Sequence, residues 1–198
     1  MAGAQTAGMV ALESDTDALA PGDRAPTFEL PAANGETYAL ADFEAHDALL
    51  VVFTCNHCPY AQAKYDAMNA IDDEYESVAV VGINPNDADE YPEDSFEKMV
   101  ENVEAGEVDV TAYLRDESQD VASAYGAVCT PDPFLFANED DGFRLAYHGR
   151  FDDATNPEEP PAGEPGFEMR AAIDAVLDGE TPDPQFRPAR GCSIKWRE

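Results

Sequence analysis

The chain has 198 residues, of which 42 are acidic and only 11 basic, for a net charge of −31 at pH 7. Such a surface lacks the Lys/Arg patches that nucleic acid or an anionic membrane would need, so neither is expected as a partner. A hydrophobic content of 44%, with ten Phe and eight Tyr, argues for a folded chain rather than acidic disorder.

The length fits one domain. The charge fits a halophilic surface adapted to molar salt, where the Debye length falls to roughly 3 Å and self-repulsion is screened. No run of 18 apolar residues is present, and the N-terminal stretch lacks the basic and apolar regions of a secretory signal. The expected location is therefore the cytoplasm.

Residues 1–20 read as a mobile acidic leader, ended by Pro21-Gly22. Residues 27–30 and 36–40 form an expected N-terminal β-hairpin about Asn34-Gly35, a dipeptide that favours tight turns. Residues 48–54 are apolar in succession, as in a strand covered on both faces. A helix follows, with Tyr60, Lys64, Ala67, Met68, Ile71 and Tyr75 at helical spacing. Residues 77–83 predict a second buried strand. A helix from about Ser95 is opened by Asp94 and Glu97 in a capping-box pattern. A strand over 108–114 and a short helix over 118–125, stopped by Gly126, come next. Residues 134–136 and 143–147 predict a hairpin about Asp140-Asp141-Gly142. A Pro- and Glu-rich loop over 155–165 and a helix over 166–177 complete a domain spanning 21–180. The tail, 181–198, is irregular in pattern and is expected to dock on the domain through its Cys and Trp. The order of elements implies an α/β fold with a mixed sheet and helices on both faces.

The chemistry concentrates at Cys55-Asn56-His57-Cys58, a C-x-x-C pair at a strand-to-helix junction. A thiol attacks as the thiolate, so a redox cysteine needs a lowered pKa. The helix N-terminus, His57 and a hydrogen bond from Cys58 are the local means of lowering it at Cys55. Pro59 falls in the first helical turn, where a missing N–H costs little. In a dithiol cycle Cys55 attacks a substrate disulfide and Cys58 resolves the mixed disulfide. A zinc half-site is the competing reading of C-x-x-C, but Cys129 and Cys192 stand apart and make no second pair, so no metal and no cofactor is expected.

The segment Val128-Cys129-Thr130-Pro131-Asp132-Pro133-Phe134 places a proline just before an apolar strand. Here the chain resembles the thioredoxin superfamily, in which a cis-proline faces the cysteine pair. That resemblance implies a thioredoxin-like fold, puts Pro131 opposite the pair, and gives the Thr130 backbone to a bound peptide. CNHCPY, YPEDS, DESQ, VCTPD, GRFDD and GCSIKW together are similar to the peroxiredoxin-like (AhpC/TSA-type) group that carries C-x-x-C, over residues 20–198. Aligned on Cys58, the peroxiredoxin Thr position is Cys55, its Pro position is Val51, and its Arg position is Pro131. Both groups that hold and polarise peroxide are thus replaced.

The resemblance therefore favours a thiol–disulfide oxidoreductase cycling through Cys55 and Cys58. Its expected partners are a protein or small-molecule disulfide and a thioredoxin- or glutathione-like reductant. The alternative is an antioxidant thiol peroxidase with Cys58 or Cys55 peroxidatic and peroxide as substrate. A non-catalytic binding module, holding zinc, is the third reading. His57, Pro59, Thr130 and Pro131 are supporting residues. Cys129 and Cys192 are candidates for additional redox roles, against a bland reading of Cys129 as a small buried hydrophobe. His148 is expected at the surface, and Arg150 in an ion pair with Asp152 or Asp153.

Overall fold

The computed structural model describes residues 10–198. In chain order it contains β1 (Ala11–Glu13), β2 (Glu29–Pro31), β3 (Thr37–Ala39), β4 (Ala48–Phe53), α1 (Pro59–Gln62), α2 (Tyr65–Glu74) and β5 (Val78–Asn84). There follow α3 (Phe96–Glu104), β6 (Ala112–Arg115), α4 (Asp120–Tyr125), β7 (Cys129–Thr130), β8 (Asp132–Glu139), β9 (Gly142–His148), α5 (Phe167–Leu177) and β10 (Arg190–Ser193).

The central sheet runs β6-β5-β4-β8-β9. Strands β4, β5 and β6 are mutually parallel, whereas β8 is antiparallel to both β4 and β9. Every residue of β4 is buried, because the sheet is covered on both faces and successive side chains enter opposite cores. Leu49, Val51 and Phe53 pack with Phe43, Tyr125, Phe134 and Phe136 on one face. Leu50 and Val52 pack with Met68, Ile71, Met99, Met169 and Ile173, drawn from α2, α3 and α5, on the other. The hairpin β2-β3 forms its own two-stranded unit.

A third, small sheet has the order β1-β10-β7. It changes the picture of both termini. Residues 11–13 of the expected leader are a strand, with the first nine residues lying outside the described part. The tail is not wholly irregular, since β10 runs between β1 and β7 with Cys192 opposite both Ala11 and Thr130; it docks through Cys192 but not through Trp196, which is exposed.

Smaller departures have local causes. The helix after the cysteines is broken at Ala63-Lys64, where Lys64 turns its ammonium to Asp152 at 2.6 Å and the Ala154 carbonyl at 3.1 Å. The strand expected over 108–114 begins only at Ala112, since the Val108 and Asp109 N–H groups go to the Asn102 carbonyl and Asn69 side chain. Helix α3 is capped by Ser95, whose hydroxyl accepts from the Lys98 N–H, and not by Asp94. Among the described residues no helix is long and apolar enough to cross a membrane.

Candidate functional site

Strand β4 delivers Thr54 and Cys55 at its C-terminal end, and the register of β8 determines what faces them. Phe53 lies opposite Asp132, so the residues preceding Asp132 fall beside the cysteine loop. The Thr130–Pro131 peptide is cis, as the resemblance implies. Both C-x-x-C sulfurs lie against Thr130: its hydroxyl is 3.2 Å from the Cys55 thiol, within hydrogen-bond reach, and its carbonyl is in contact with the disulfide-bonded Cys58 Sγ at 3.6 Å.

The disulfide does not join Cys55 to Cys58. Cys58 is bonded to Cys192, and Cys55 is a free, buried thiol. The cause is the small sheet: pairing of β10 with β7 sets Cys192 directly opposite Thr130, over the cysteine loop. Cys55, Cys58 and Cys192 share one buried cluster with Ala61, flanked by Tyr60. The Thr130 backbone, expected to be open to a peptide, is taken by the chain's own tail.

The expectation of a lowered Cys55 pKa is also overturned. Cys58 is the N-cap of α1 and Pro59 its exposed first residue, so Cys55 stands before the helix rather than on it. Burial raises the thiol to about 12, with the Asp94 charge adding to the rise. Hydrogen bonds from Thr130 and from the Cys58 and His57 N–H groups pull the other way and lose.

His57 is bound to a residue that the sequence pattern assigned elsewhere. Its Nδ1 lies 2.6 Å from Oδ2 of fully buried Asp94, and its ring stacks on Tyr91 at 5.7 Å. The hydrogen bond to Asp94 raises the His57 pKa, overriding the opposing effect of burial. Burial would raise the Asp94 carboxyl, but bonds from His57, Asn86 and the Asn56 N–H hold it below its ordinary value. Asp94 receives the Asn56 N–H at 2.7 Å on one oxygen and Asn86 Nδ2 at 2.7 Å on the other. Asn56 itself accepts from Tyr113 at 2.8 Å and donates to the Glu93 carbonyl at 3.0 Å. The Tyr65 hydroxyl donates to the Cys55 carbonyl.

Polar bonds thus fix the C-N-H-C loop from three sides. The only signal for Asp94 in the sequence was the capping pattern, which Ser95 fulfils instead. Cys55 Sγ, His57 Nδ1 and an Asp94 oxygen lie within 4.8 Å of one another. The carboxylate is already engaged by His57, Asn56 and Asn86, so the trio reads as a bonded network rather than a metal cage.

The remaining candidates separate. Cys129 is buried outside the sulfur cluster, its thiol 3.8 Å from the Pro131 carbonyl, and burial pushes its pKa far up. His148 is not at the surface: it is buried, 2.7 Å from Asp132 and stacked on Phe134 at 3.9 Å. Arg150 pairs with Glu168 through two bonds of 2.7 and 2.8 Å, because Lys64 takes Asp152.

A mixed sheet flanked by helices, with a cysteine loop facing a cis-proline, is a thioredoxin-like redox fold. The chain belongs to the AhpC/TSA family, whose profile matches residues 21–143. It is similar to a hypothetical protein from Sinorhizobium meliloti 1021, at 41% identity over 93% of this chain and 98% of that one, with a TM-score of 0.84. An uncharacterized conserved protein from Geobacillus kaustophilus is 37% identical over 96% of this chain and 98% of its own, with a TM-score of 0.85. A candidate thiol:disulfide interchange protein DsbE from Chlorobium tepidum shares the fold at 20% identity, over 80% of this chain and 99% of that one, with a TM-score of 0.62. No curated protein matches the sequence.

Proposed function

We propose that this chain is a thiol–disulfide oxidoreductase working through Cys55 and Cys58. The observation that carries the reading is the convergence of both sulfurs on Thr130, beside Pro131, within 3.2 and 3.6 Å. Cys55 attacks a protein or small-molecule disulfide, and Cys58 resolves the mixed disulfide, releasing the substrate thiol. His57 is held by Asp94 and Tyr91 and keeps the loop in place. A thioredoxin- or glutathione-like reductant returns the pair to the reduced state. The net charge of −31 supports a salt-rich cytoplasm as the working environment.

The test is turnover of a small aromatic disulfide at molar KCl. Cys55→Ser should abolish it, and Cys58→Ser should trap a mixed disulfide visible by mass spectrometry. Full reductase activity in Cys55→Ser would refute the reading.

A second reading, thiol peroxidase, draws support from the pairing of Cys58 with Cys192. Peroxide would oxidise the Cys58 thiolate to sulfenic acid, and the Cys192 thiol would displace water to form the observed bond. This reading requires a second-order rate with peroxide well above that of free cysteine.

A further inference from the structure

We propose that Cys192 is the third member of an internal disulfide relay, in which Cys58 is shared between a bond to Cys192 and an alternative bond to Cys55. The inference rests on the reading of Cys55 and Cys58 as an exchanging pair, and adds to it the tail.

Three observations carry it. First, Cys55, Cys58 and Cys192 pack in one cluster, and one residue positions them all. Thr130 meets Cys55 through its hydroxyl, Cys58 through its carbonyl, and Cys192 as its strand partner. Second, the tail delivers Cys192 by a built path. Gly191 lies so close that a Cβ there would collide with the Thr130 carbonyl and come within 2.9 Å of Pro131 N. Beyond it the Ile194 N–H bonds the Val128 carbonyl at 3.1 Å, and the Lys195 N–H bonds Asn86 at 2.9 Å. Third, Cys55 and Cys58 are wholly buried and Cys192 is 2% exposed, so an external disulfide or thiol reaches none of them in this state. Redox equivalents must move inside the cluster before they can leave it.

The step is an isomerisation. Cys55 loses its proton and its thiolate attacks Cys58 Sγ. The Cys55–Cys58 bond forms while the Cys58–Cys192 bond breaks, and Cys192 departs as a thiolate that takes up the proton. One S–S bond replaces another, so no oxidant or reductant is consumed. The product has its disulfide in the C-x-x-C and a free thiol on β10, which is no longer covalently tied to the loop. Separation of β10 from β7 then opens the Thr130 edge to an external dithiol.

The wild-type protein itself tests the relay. Protein purified with the Cys58–Cys192 bond is incubated at molar KCl between pH 7 and 9 without added thiol or oxidant, then quenched in acid. Its free thiols are alkylated after unfolding and mapped by mass spectrometry. The free thiols are expected to move from Cys55 and Cys129 to Cys192 and Cys129, at constant total, faster at higher pH because Cys55 must ionise. Cys55→Ser should keep the Cys58–Cys192 bond throughout. If wild-type Cys192 never becomes alkylatable, the relay is overturned. Turnover of the aromatic disulfide by Cys55→Ser reports separately on the underlying reading, which stands if that variant is inactive and falls if it is fully active.

Discussion

Removal of the Cys58–Cys192 bond is expected to cost more stability than any C-x-x-C bond could supply. The two cysteines are 134 residues apart. The chain-entropy relation for a loop of that size gives about 5 kcal/mol at 25 °C. A bond between Cys55 and Cys58 closes a loop of about four residues, for which the same relation gives about 2 kcal/mol. Urea unfolding followed by far-UV circular dichroism, at molar KCl with and without dithiothreitol, separates the two cases. For the reduced samples, reduction is completed beforehand in urea with dithiothreitol at pH 8 and the protein refolded; unfolding is then followed at pH 6, where thiol exchange in the unfolded chain is slow. Wild type should lose about 5 kcal/mol on reduction, and Cys192→Ser no more than about 2 kcal/mol. Equal losses in the two proteins would show that the tail bond contributes nothing and would refute the argument from loop size.

Gly191→Ala should unseat β10, because the new methyl meets the Thr130 carbonyl, and should cost about 1–3 kcal/mol by overpacking. The fraction of Cys58–Cys192 bond, read by mass spectrometry, should fall with it. Asp94→Asn should destabilise by about 3 kcal/mol, since it leaves donors from His57, Asn56 and Asn86 facing an amide. The same variant should flatten the pH dependence. The raised His57 pKa gives stability that is complete below the ordinary histidine value and lost as pH rises through the folded value; the lowered Asp94 pKa gives stability present above the ordinary carboxylate value and lost as pH falls through the folded one. We also propose that the acidic surface requires salt, so the melting temperature should fall steeply as KCl is lowered from molar to tenths of molar, and indifference to salt would refute this.

What the sequence disclosed follows from how local each signal is. Strand β4 was legible because six successive apolar residues fit a strand covered on both faces. The C-x-x-C and Pro131 were legible because each is a short motif at a strand end. The disulfide partner was not, because it depends on β10, four residues of Arg-Gly-Cys-Ser with no apolar alternation, inserted between strands of three and two residues. Asp94 was misassigned because the capping pattern is satisfied locally by Ser95, while its true partners come from residues up to 38 positions away. His148 looked like a surface residue because its partner, Asp132, is provided by the neighbouring strand.

The thiol pKa shows most directly how the tail and the cysteine loop depend on each other. Spacing alone placed the helix N-terminus and His57 near Cys55, and both would ease ionisation; desolvation, which no spacing reveals, reverses the outcome. That desolvation is partly the work of Cys192, packed against the same cluster. Water admitted by departure of β10 removes the largest upward influence on the Cys55 pKa. The Thr130 hydroxyl and the two backbone N–H groups, which favour the thiolate, stay with the loop. In the fully reduced protein, where no bond ties Cys192 to Cys58, we expect departure of β10 to expose the sulfurs and lower the Cys55 pKa together.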